Sequence, residues 1–185
     1  MLVRIVYKKR ETKMKVLIII AKQGFQDTEF SVPKKILEDN GFETVVASTE
    51  KGTCLGKFGL ETEAEISFDD IDPDRFDAVF IVGGPGSPKL VGIEKLESIL
   101  KKMDEDKKII SAICYAPVVL AKAGLLKNKK ATVWNEDGSL QPLIEEDGAS
   151  YVDKPVVVDD RFITGNGPDA AEEFGNTLLR ILKSL

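Results

Sequence analysis

The sequence contains no histidine, and this absence restricts the chemistry that the chain can perform on its own. Histidine is the usual general base, proton shuttle and neutral metal ligand near neutral pH. Neither a Ser-His-Asp triad nor a Cys-His dyad can therefore be built within this chain. A zinc ion would need carboxylates and two cysteines that lie far apart in the sequence, which is a poor match to zinc ligand spacings. We expect no metal site and no cofactor.

Cysteines and long apolar runs are also scarce. Cys54 and Cys114 are the only cysteines in 185 residues, so they cannot form a multi-disulfide framework. No cleavable signal pattern occurs, and we expect a cytoplasmic protein. The longest strongly apolar run, 16–21, has about a third of the length that a bilayer span requires. We therefore expect no membrane attachment.

The charged residues do not form a basic surface. The chain has 26 Lys and Arg against 31 Asp and Glu, a net charge of -5. No predicted helix gathers its basic side chains on one face, as nucleic-acid-binding domains do. We therefore expect no nucleic-acid partner, and a small molecule or a peptide instead.

Residues 1–13 differ in composition from the rest of the chain. They carry five basic side chains and one acid. We interpret them as an N-terminal extension that is either disordered or, at 2–7, a short edge strand, and a true start at Met14 is an equally good explanation. The remaining residues, 14–185, are enough for one core but too few for two ordinary domains, so we expect a single domain.

From residue 15 onward, short apolar runs alternate with helical patterns. Four runs are nearly continuous in Val, Ile, Leu and Ala, as in strands covered on both faces: 16–21, 44–47, 78–82 and 109–113. Helical patterns occupy 28–40, 94–103, 116–123 and 169–182. Two further strands are expected at 151–158 and 161–164, and a small hairpin outside the main sheet at 55–65. This order predicts an α/β fold with a mostly parallel sheet.

Several polar or small residues follow the carboxyl ends of these strands. In an open parallel sheet those ends meet at one edge, where ligands bind. The first strand leads to Glu29, the third to the turn Gly83-Gly84-Pro85-Gly86, and the fourth directly to Cys114. The last strand leads to Asn166-Gly167-Pro168. We therefore expect a carboxyl group, a glycine-rich turn and a thiol to share one crevice.

Cys114 lies in a sequence that predicts a nucleophile elbow, the sharp strand-to-helix turn that presents a reactive side chain. Such a turn needs small residues two positions before and two after the nucleophile, and Ala112 and Ala116 supply them. At a helix start, free N–H groups and the positive end of the helix dipole favour a thiolate. The alternative is that Cys114 is only a small buried apolar residue.

The glycine turn and Glu29 each allow two interpretations as well. The Gly84 N–H can join the Tyr115 N–H in stabilising an oxyanion, or the glycines can form only a tight turn. Glu29 can be a functional acid, or simply an acid favoured by the dipole in the first turn of a helix. Neither G-x-G-x-x-G nor a P-loop motif occurs, so a dinucleotide or nucleotide site is not expected.

The elbow at 112–117 resembles that of the ThiJ/PfpI superfamily, which includes PfpI-type intracellular proteases, the parkinsonism-associated deglycase, and related glyoxalase and chaperone proteins. Three further segments resemble the family in the same order: KVLIIIAKQGFQDTEFSVP at 15–33, FDAVFIVGGPG at 76–86 and FITGNGPDAAEEF at 162–174. The resemblance covers nearly everything from Met14 onward. It implies a flavodoxin-like three-layer sandwich and a homodimer or higher homo-oligomer.

The resemblance also implies roles for individual residues. Cys114 corresponds to the nucleophile, Glu29 to a protonated acid that hydrogen-bonds to it, and Gly84 with Tyr115 to the oxyanion pocket. Substrate contacts are expected from Gly83, Pro85, Trp134, Asn166, Gly167 and Pro168. The chain departs from the family at the base: the protease branch has histidine where Tyr115 stands, and the deglycase branch has histidine where Trp134 stands. Neither a phenol nor an indole is an effective base at neutral pH.

We therefore expect a cysteine-dependent enzyme acting on small carbonyl compounds or peptides, glyoxalase- or deglycase-like or peptidase-like. In this hypothesis Cys114 attacks a carbonyl group and Glu29, whose pKa burial would raise, exchanges the proton. One alternative is a non-enzymatic, redox-responsive or chaperone-like stress protein that uses oxidation of Cys114 to a sulfinic acid. Another is a family scaffold that binds a metabolite without chemistry.

Overall fold

The computed structural model describes residues 13–185, so the extension at 1–12 and the edge strand expected at 2–7 lie outside the described residues. The described strands are β1 (Lys15–Ile19), β2 (Gln23–Phe25), β3 (Glu43–Ser48), β4 (Gly52–Gly56), β5 (Glu61–Ala64), β6 (Ile66–Ser67), β7 (Ala78–Ile81), β8 (Ile109–Ile113), β9 (Lys130–Ala131), β10 (Ser150–Tyr151), β11 (Val156–Asp159) and β12 (Phe162–Gly165). The α-helices are α1 (Asp27–Asp39), α2 (Glu94–Glu105), α3 (Ala116–Lys122), α4 (Gln141–Glu145) and α5 (Ala171–Leu182). None of these described helices is long and apolar enough to cross a membrane.

The central sheet has seven strands in the order β11-β12-β8-β7-β1-β3-β6. Its pairs are parallel except for β11 with β12, which is antiparallel. Strands β1, β7 and β8 are buried almost throughout, as their continuous apolar sequences predict. The expectation of an α/β fold with a mostly parallel sheet is confirmed.

The two faces of this sheet pack against different helices, because successive strand residues point to opposite sides. Leu17 and Ile19 of β1 pack into one core cluster with residues of α2 and α3. Val16 and Ile18 pack into a second cluster with residues of α1 and α5. The chain therefore forms the three-layer sandwich that the family resemblance implies.

A small sheet of β2, β4 and β5 lies apart from the central sheet. Strands β4 and β5 form an antiparallel hairpin in which Cys54 pairs with Thr62, and β2 joins β4 in parallel. The hairpin predicted at 55–65 is present, although its first strand begins earlier, at Gly52. Its turn contains Lys57 and Phe58.

The single strand predicted at 151–158 is wrong. Residues Ser150–Tyr151 pair with β9 in a separate two-stranded sheet, whereas Val156–Asp159 pairs with β12. Between them the chain bends, with the Lys154 N–H bonded to the Val152 carbonyl at 2.9 Å. Pro155 follows directly and has no N–H for a ladder, which breaks the strand. The last helix also starts two residues later than predicted, because a 3-10 turn occupies Pro168–Ala170.

Candidate active site

Cys114 lies between β8 and α3 in a strained backbone conformation. Its φ of 63° falls in the left-handed region, which costs energy for a residue with a side chain. Two hydrogen bonds hold the backbone in this conformation: the Cys114 N–H donates to the Gly165 carbonyl (2.9 Å), and the Trp134 N–H donates to the Cys114 carbonyl (3.0 Å). Ala112 and Ala116 are fully buried on either side of the turn. The predicted nucleophile elbow is therefore present.

Glu29 is completely buried in the first turn of α1. The side-chain oxygen of Gln26 caps this helix by accepting the Glu29 N–H at 2.8 Å. The Glu29 carboxyl oxygen Oε2 accepts the Gly83 N–H at 3.1 Å. In the described part of the chain Oε1 is buried and makes no hydrogen bond of good geometry. The carboxyl nevertheless lies close enough to the Cys114 thiol for the two pKa values to depend on each other.

The electrostatics of this pair are dominated by burial. Desolvation raises the pKa of Glu29 from 4.5 to about 7, although the Cys114 thiol, the Gly83 N–H and the Lys57 ammonium partly offset it. The raised pKa that the sequence predicted for Glu29 is confirmed. Because thiol and carboxyl are coupled, the first proton leaves the pair near neutral pH.

Backbone N–H groups that favour a thiolate face Cys114 as expected, but the net shift of its pKa is upward. Desolvation raises the pKa of Cys114 to about 12, and the negative charge of Glu29 adds to this effect. The backbone N–H groups of Gly84 and Tyr115 do lower the pKa, as expected for donors that face the sulfur. These N–H groups lower the pKa of Cys114 by less than the loss of hydration raises it. The thiol is therefore protonated near neutral pH, and a base must accept its proton as the sulfur reacts.

The glycine turn approaches both reactive groups. A Cβ at Gly83 would lie 2.5 Å from the Cβ of Cys114 and 2.7 Å from Oε2 of Glu29, so only glycine fits there. Gly84 has a φ of 109°, and a Cβ there would lie 2.6 Å from the backbone nitrogen of Gln26. The turn is thus tight, and it also brings backbone N–H groups to the carboxyl and to the sulfur.

A cavity of about 460 Å³ opens over Cys114, and we call it the Cys114 cavity. Seven residues that the sequence singled out line it: Glu29, Gly84, Pro85, Cys114, Tyr115, Trp134 and Pro168. Five that the sequence did not single out line it as well: Gln26, Lys57, Phe58, Glu136 and Leu140.

Three of the predicted substrate contacts lie elsewhere. Gly83 packs behind Glu29 and Cys114. Asn166 and Gly167 line a neighbouring cavity of about 380 Å³, which shares Trp134, Glu136 and Pro168 with the Cys114 cavity. After β12, the Asn166 N–H donates to the Pro155 carbonyl at 2.9 Å, and this bond holds Asn166 at the neighbouring cavity.

Lys57 and Phe58 reach the site from the hairpin turn between β4 and β5. The carboxylate of Asp27 holds this turn by accepting the N–H groups of Phe58 (2.9 Å) and Leu60 (2.8 Å). Phe58 is 71% exposed, and it lines the Cys114 cavity. An aromatic residue between Gly56 and Gly59 was the available sequence signal. The pairing of β2 with β4, which delivers the turn to the cavity, is non-local.

The second cysteine is remote from this chemistry. Cys54 is fully buried in the small sheet, where its thiol donates to the Gly52 carbonyl at 3.6 Å, and both cysteines are free. Within residues 13–185, no group of three or more Cys, Asp or Glu side chains is placed to hold a metal ion.

Comparison with known proteins gives consistent matches over nearly all of the described residues. Residues 14–181 match the model of the DJ-1/PfpI family. A deglycase of Thermococcus kodakarensis is 35% identical over 171 residues, covering 92% of this chain and 100% of the relative. General stress protein 18 of Bacillus subtilis is 34% identical, covering 91% of this chain and 98% of the relative. The crystal structure of a ThiJ/PfpI domain protein from Brachyspira murdochii superposes with a TM-score of 0.89 at 32% identity, covering 94% of this chain and 99% of the other.

Proposed function

The chain belongs to the DJ-1/PfpI family, and we propose that it is a cysteine-dependent enzyme acting on small carbonyl compounds. One observation carries the proposal: a buried carboxyl group with a pKa of about 7 lies beside a thiol on a strained elbow. A general base works best when its pKa lies near the operating pH, since both of its protonation states are then populated. Glu29 thus offers the proton exchange that histidine would otherwise supply.

In the proposed reaction, Cys114 adds to the substrate carbonyl. The Cys114 sulfur forms a bond to the carbonyl carbon while the thiol proton passes to the Glu29 carboxylate. The electron pair of the carbonyl π bond moves to oxygen, and the N–H groups of Gly84 and Tyr115 stabilise the resulting oxyanion. Glu29 then returns the proton to that oxygen, which gives a neutral hemithioacetal. For an aldehyde or ketone, atoms and charges balance in this addition. Turnover of an α-oxoaldehyde then requires a proton shift between the two oxygenated carbons, which gives a thioester, and hydrolysis of that thioester by water, which releases a hydroxy acid and the free thiol.

The size and walls of the Cys114 cavity favour a small substrate. Its volume of about 460 Å³ lies within the usual range for small-molecule sites. Aromatic and apolar side chains, including Phe58, Trp134 and Leu140, form much of its lining. Peptidase activity is the second candidate, because the neighbouring cavity adjoins the Cys114 cavity at Trp134 and Pro168 and offers room for a longer peptide.

The proposal is tested by measuring the consumption of methylglyoxal and the cleavage of unstructured peptides by the wild type, Cys114→Ser and Cys54→Ser. Cys54→Ser is the matched control, because it removes the other thiol from a buried position outside the cavity. We expect carbonyl turnover to fall at least about 100-fold in Cys114→Ser and to persist in Cys54→Ser.

Turnover that survives in Cys114→Ser would refute the proposal. A peroxide-dependent chaperone activity with no carbonyl or peptide turnover would also refute it, and would favour the redox-responsive alternative. That alternative has structural support in Oε1 of Glu29, which is buried and free to hydrogen-bond to an oxidised sulfur.

A further inference from the structure

The lining of the Cys114 cavity contains one basic side chain. Of the described residues around the cavity, only Lys57 carries a positive charge. Its ammonium lies 5.0 Å from the centroid of the Phe58 ring. None of the ion pairs formed within residues 13–185 involves Lys57. A cation in a binding cavity without a carboxylate partner is available to an anionic ligand.

The backbone that carries Lys57 is held firmly in place. The Lys57 N–H donates to the Phe25 carbonyl at 2.7 Å, and the N–H groups of Phe58 and Leu60 donate to the Asp27 carboxylate. The neighbouring Gly56 packs so closely on that carboxylate that a Cβ there would lie 2.6 Å from an Asp27 oxygen. The turn is therefore fixed to the same helix start that carries Glu29.

Among the described residues, two carboxyl groups line the cavity with Lys57, and neither forms an ion pair with it. Glu29 is buried, and below about pH 7 it is mostly uncharged. Glu136 also lines the cavity, but it comes from the loop after β9 rather than from the hairpin. The Lys57 ammonium lowers the pKa of Glu29, so its field reaches the reacting groups. The cavity thus has a positive charge on the hairpin and a negative charge on a different segment.

We propose that Lys57 forms a carboxylate-binding subsite of the Cys114 cavity, so that the substrate class is a small carbonyl compound bearing a carboxylate group. The inference rests on the proposed function, because it assumes that Cys114 is the reacting group. An ammonium beside a carboxylate in a partly exposed cavity favours binding by about five- to tenfold, and salt weakens the effect.

Two alkylating reagents test the subsite without any turnover. Iodoacetate and iodoacetamide react in the same way, since the sulfur displaces iodide and forms a carbon–sulfur bond, but only iodoacetate is negatively charged. The rate constants at Cys114 are measured by mass spectrometry of the labelled peptide. Their ratio does not depend on the fraction of thiolate, because both reagents react with the same thiolate. We expect Lys57→Met to lower this ratio about fivefold relative to the wild type, and Lys57→Arg to preserve it.

Lys51→Met is the matched control for charge. Lys51 directly precedes β4, outside the cavity lining, and its ammonium pairs with Asp70 at 2.9 Å. We expect Lys51→Met to have the same ratio of iodoacetate to iodoacetamide rate constants as the wild type. Raising the ionic strength should bring the wild-type ratio toward that of Lys57→Met, because salt screens the ammonium. An unchanged ratio in Lys57→Met, or equal decreases in Lys57→Met and Lys51→Met, would overturn the subsite.

A competition measurement tests the substrate class. Pyruvate is the probe that carries both a carbonyl and a carboxylate, and acetone is its uncharged counterpart. We expect pyruvate, more than acetone, to slow the iodoacetamide labelling of Cys114 in the wild type and Lys51→Met, and this preference to disappear in Lys57→Met. Equal protection by the two compounds in the wild type would overturn the assignment. Because labelling needs no catalysis, failure of the proposed enzymatic function would appear as absent turnover with these ratios intact.

Discussion

The backbone N–H of Gly83 donates a 3.1 Å hydrogen bond to Oε2 of Glu29, which joins the turn after β7 to the first turn of α1. No other residue fits at position 83, because a Cβ there would lie 2.5 Å from the Cβ of Cys114. The bond holds a carboxyl group in a fully buried position beside a thiol. This arrangement raises the pKa of both groups.

The raised pKa of Glu29 makes the free energy of unfolding depend on pH. Between pH 4.5, the ordinary value, and about pH 7, the folded state holds a proton that the unfolded state has lost. The stability from this group is therefore complete below about pH 4.5 and is lost as the pH rises through about 7. Urea unfolding should show a larger decrease from pH 5 to pH 8 in the wild type than in Glu29→Gln, by on the order of 2 kcal/mol. Equal decreases would mean that the pKa of Glu29 is not raised.

Substitution of Glu29 should separate proton exchange from hydrogen bonding. Glu29→Gln keeps the shape and a donor but cannot exchange a proton, so we expect it to lose turnover by about 100-fold or more while Cys114 still oxidises. Glu29→Leu should impair both turnover and oxidation, because it also removes the hydrogen-bonding group. The measurements are turnover and the peroxide-treated mass of the Cys114 peptide. If both variants match the wild type, Glu29 is only a helix-start acid.

The two cysteines should differ in reactivity because of their exposure. Burial raises the pKa of both thiols, but Cys114 is partly exposed to its cavity whereas Cys54 is fully buried. Iodoacetamide should therefore label Cys114 at least about tenfold faster than Cys54 in the native protein. In urea the two rates should become similar, which serves as the control. Equal or reversed rates in the native protein would exclude a specially accessible Cys114.

Asp27 should act as a positioning residue for the hairpin turn. Asp27→Ala removes the acceptor of two backbone N–H groups, those of Phe58 and Leu60, and should lower the free energy of unfolding by about 1–3 kcal/mol. It should also lower the ratio of iodoacetate to iodoacetamide labelling, because Lys57 is no longer held at the cavity. Asp39→Ala is the control: it removes the same charge from the end of α1, where Asp39 forms an exposed pair with Lys35. A loss of stability with an unchanged labelling ratio would limit Asp27 to a structural role.

Much of the fold could be predicted because its signals are local in the sequence. The apolar run that forms β1 has too few polar groups to face water, so its burial on both sides follows from its composition. The elbow could also be predicted from the sequence, because Ala112 and Ala116 leave room for a turn that larger side chains would block. The break at Pro155 was missed because β-forming residues occur on both sides of it, Tyr151-Val152 before and Val156-Val157-Val158 after.

The parts of the site that the sequence did not reveal depend on groups that are distant along the chain. Lys57 lies at the cavity because β2 pairs with β4 and Asp27 binds the hairpin turn, and no local pattern specifies these contacts. The backbone donors near Cys114 were predictable, but the net direction of its pKa shift was not, because desolvation depends on everything packed around the sulfur. The sequence alone therefore determined the sheet, the elbow and the absence of a histidine base. Only the tertiary structure decided which charges surround the thiol, because burial and Coulomb interactions depend on distances in space rather than on positions in the chain.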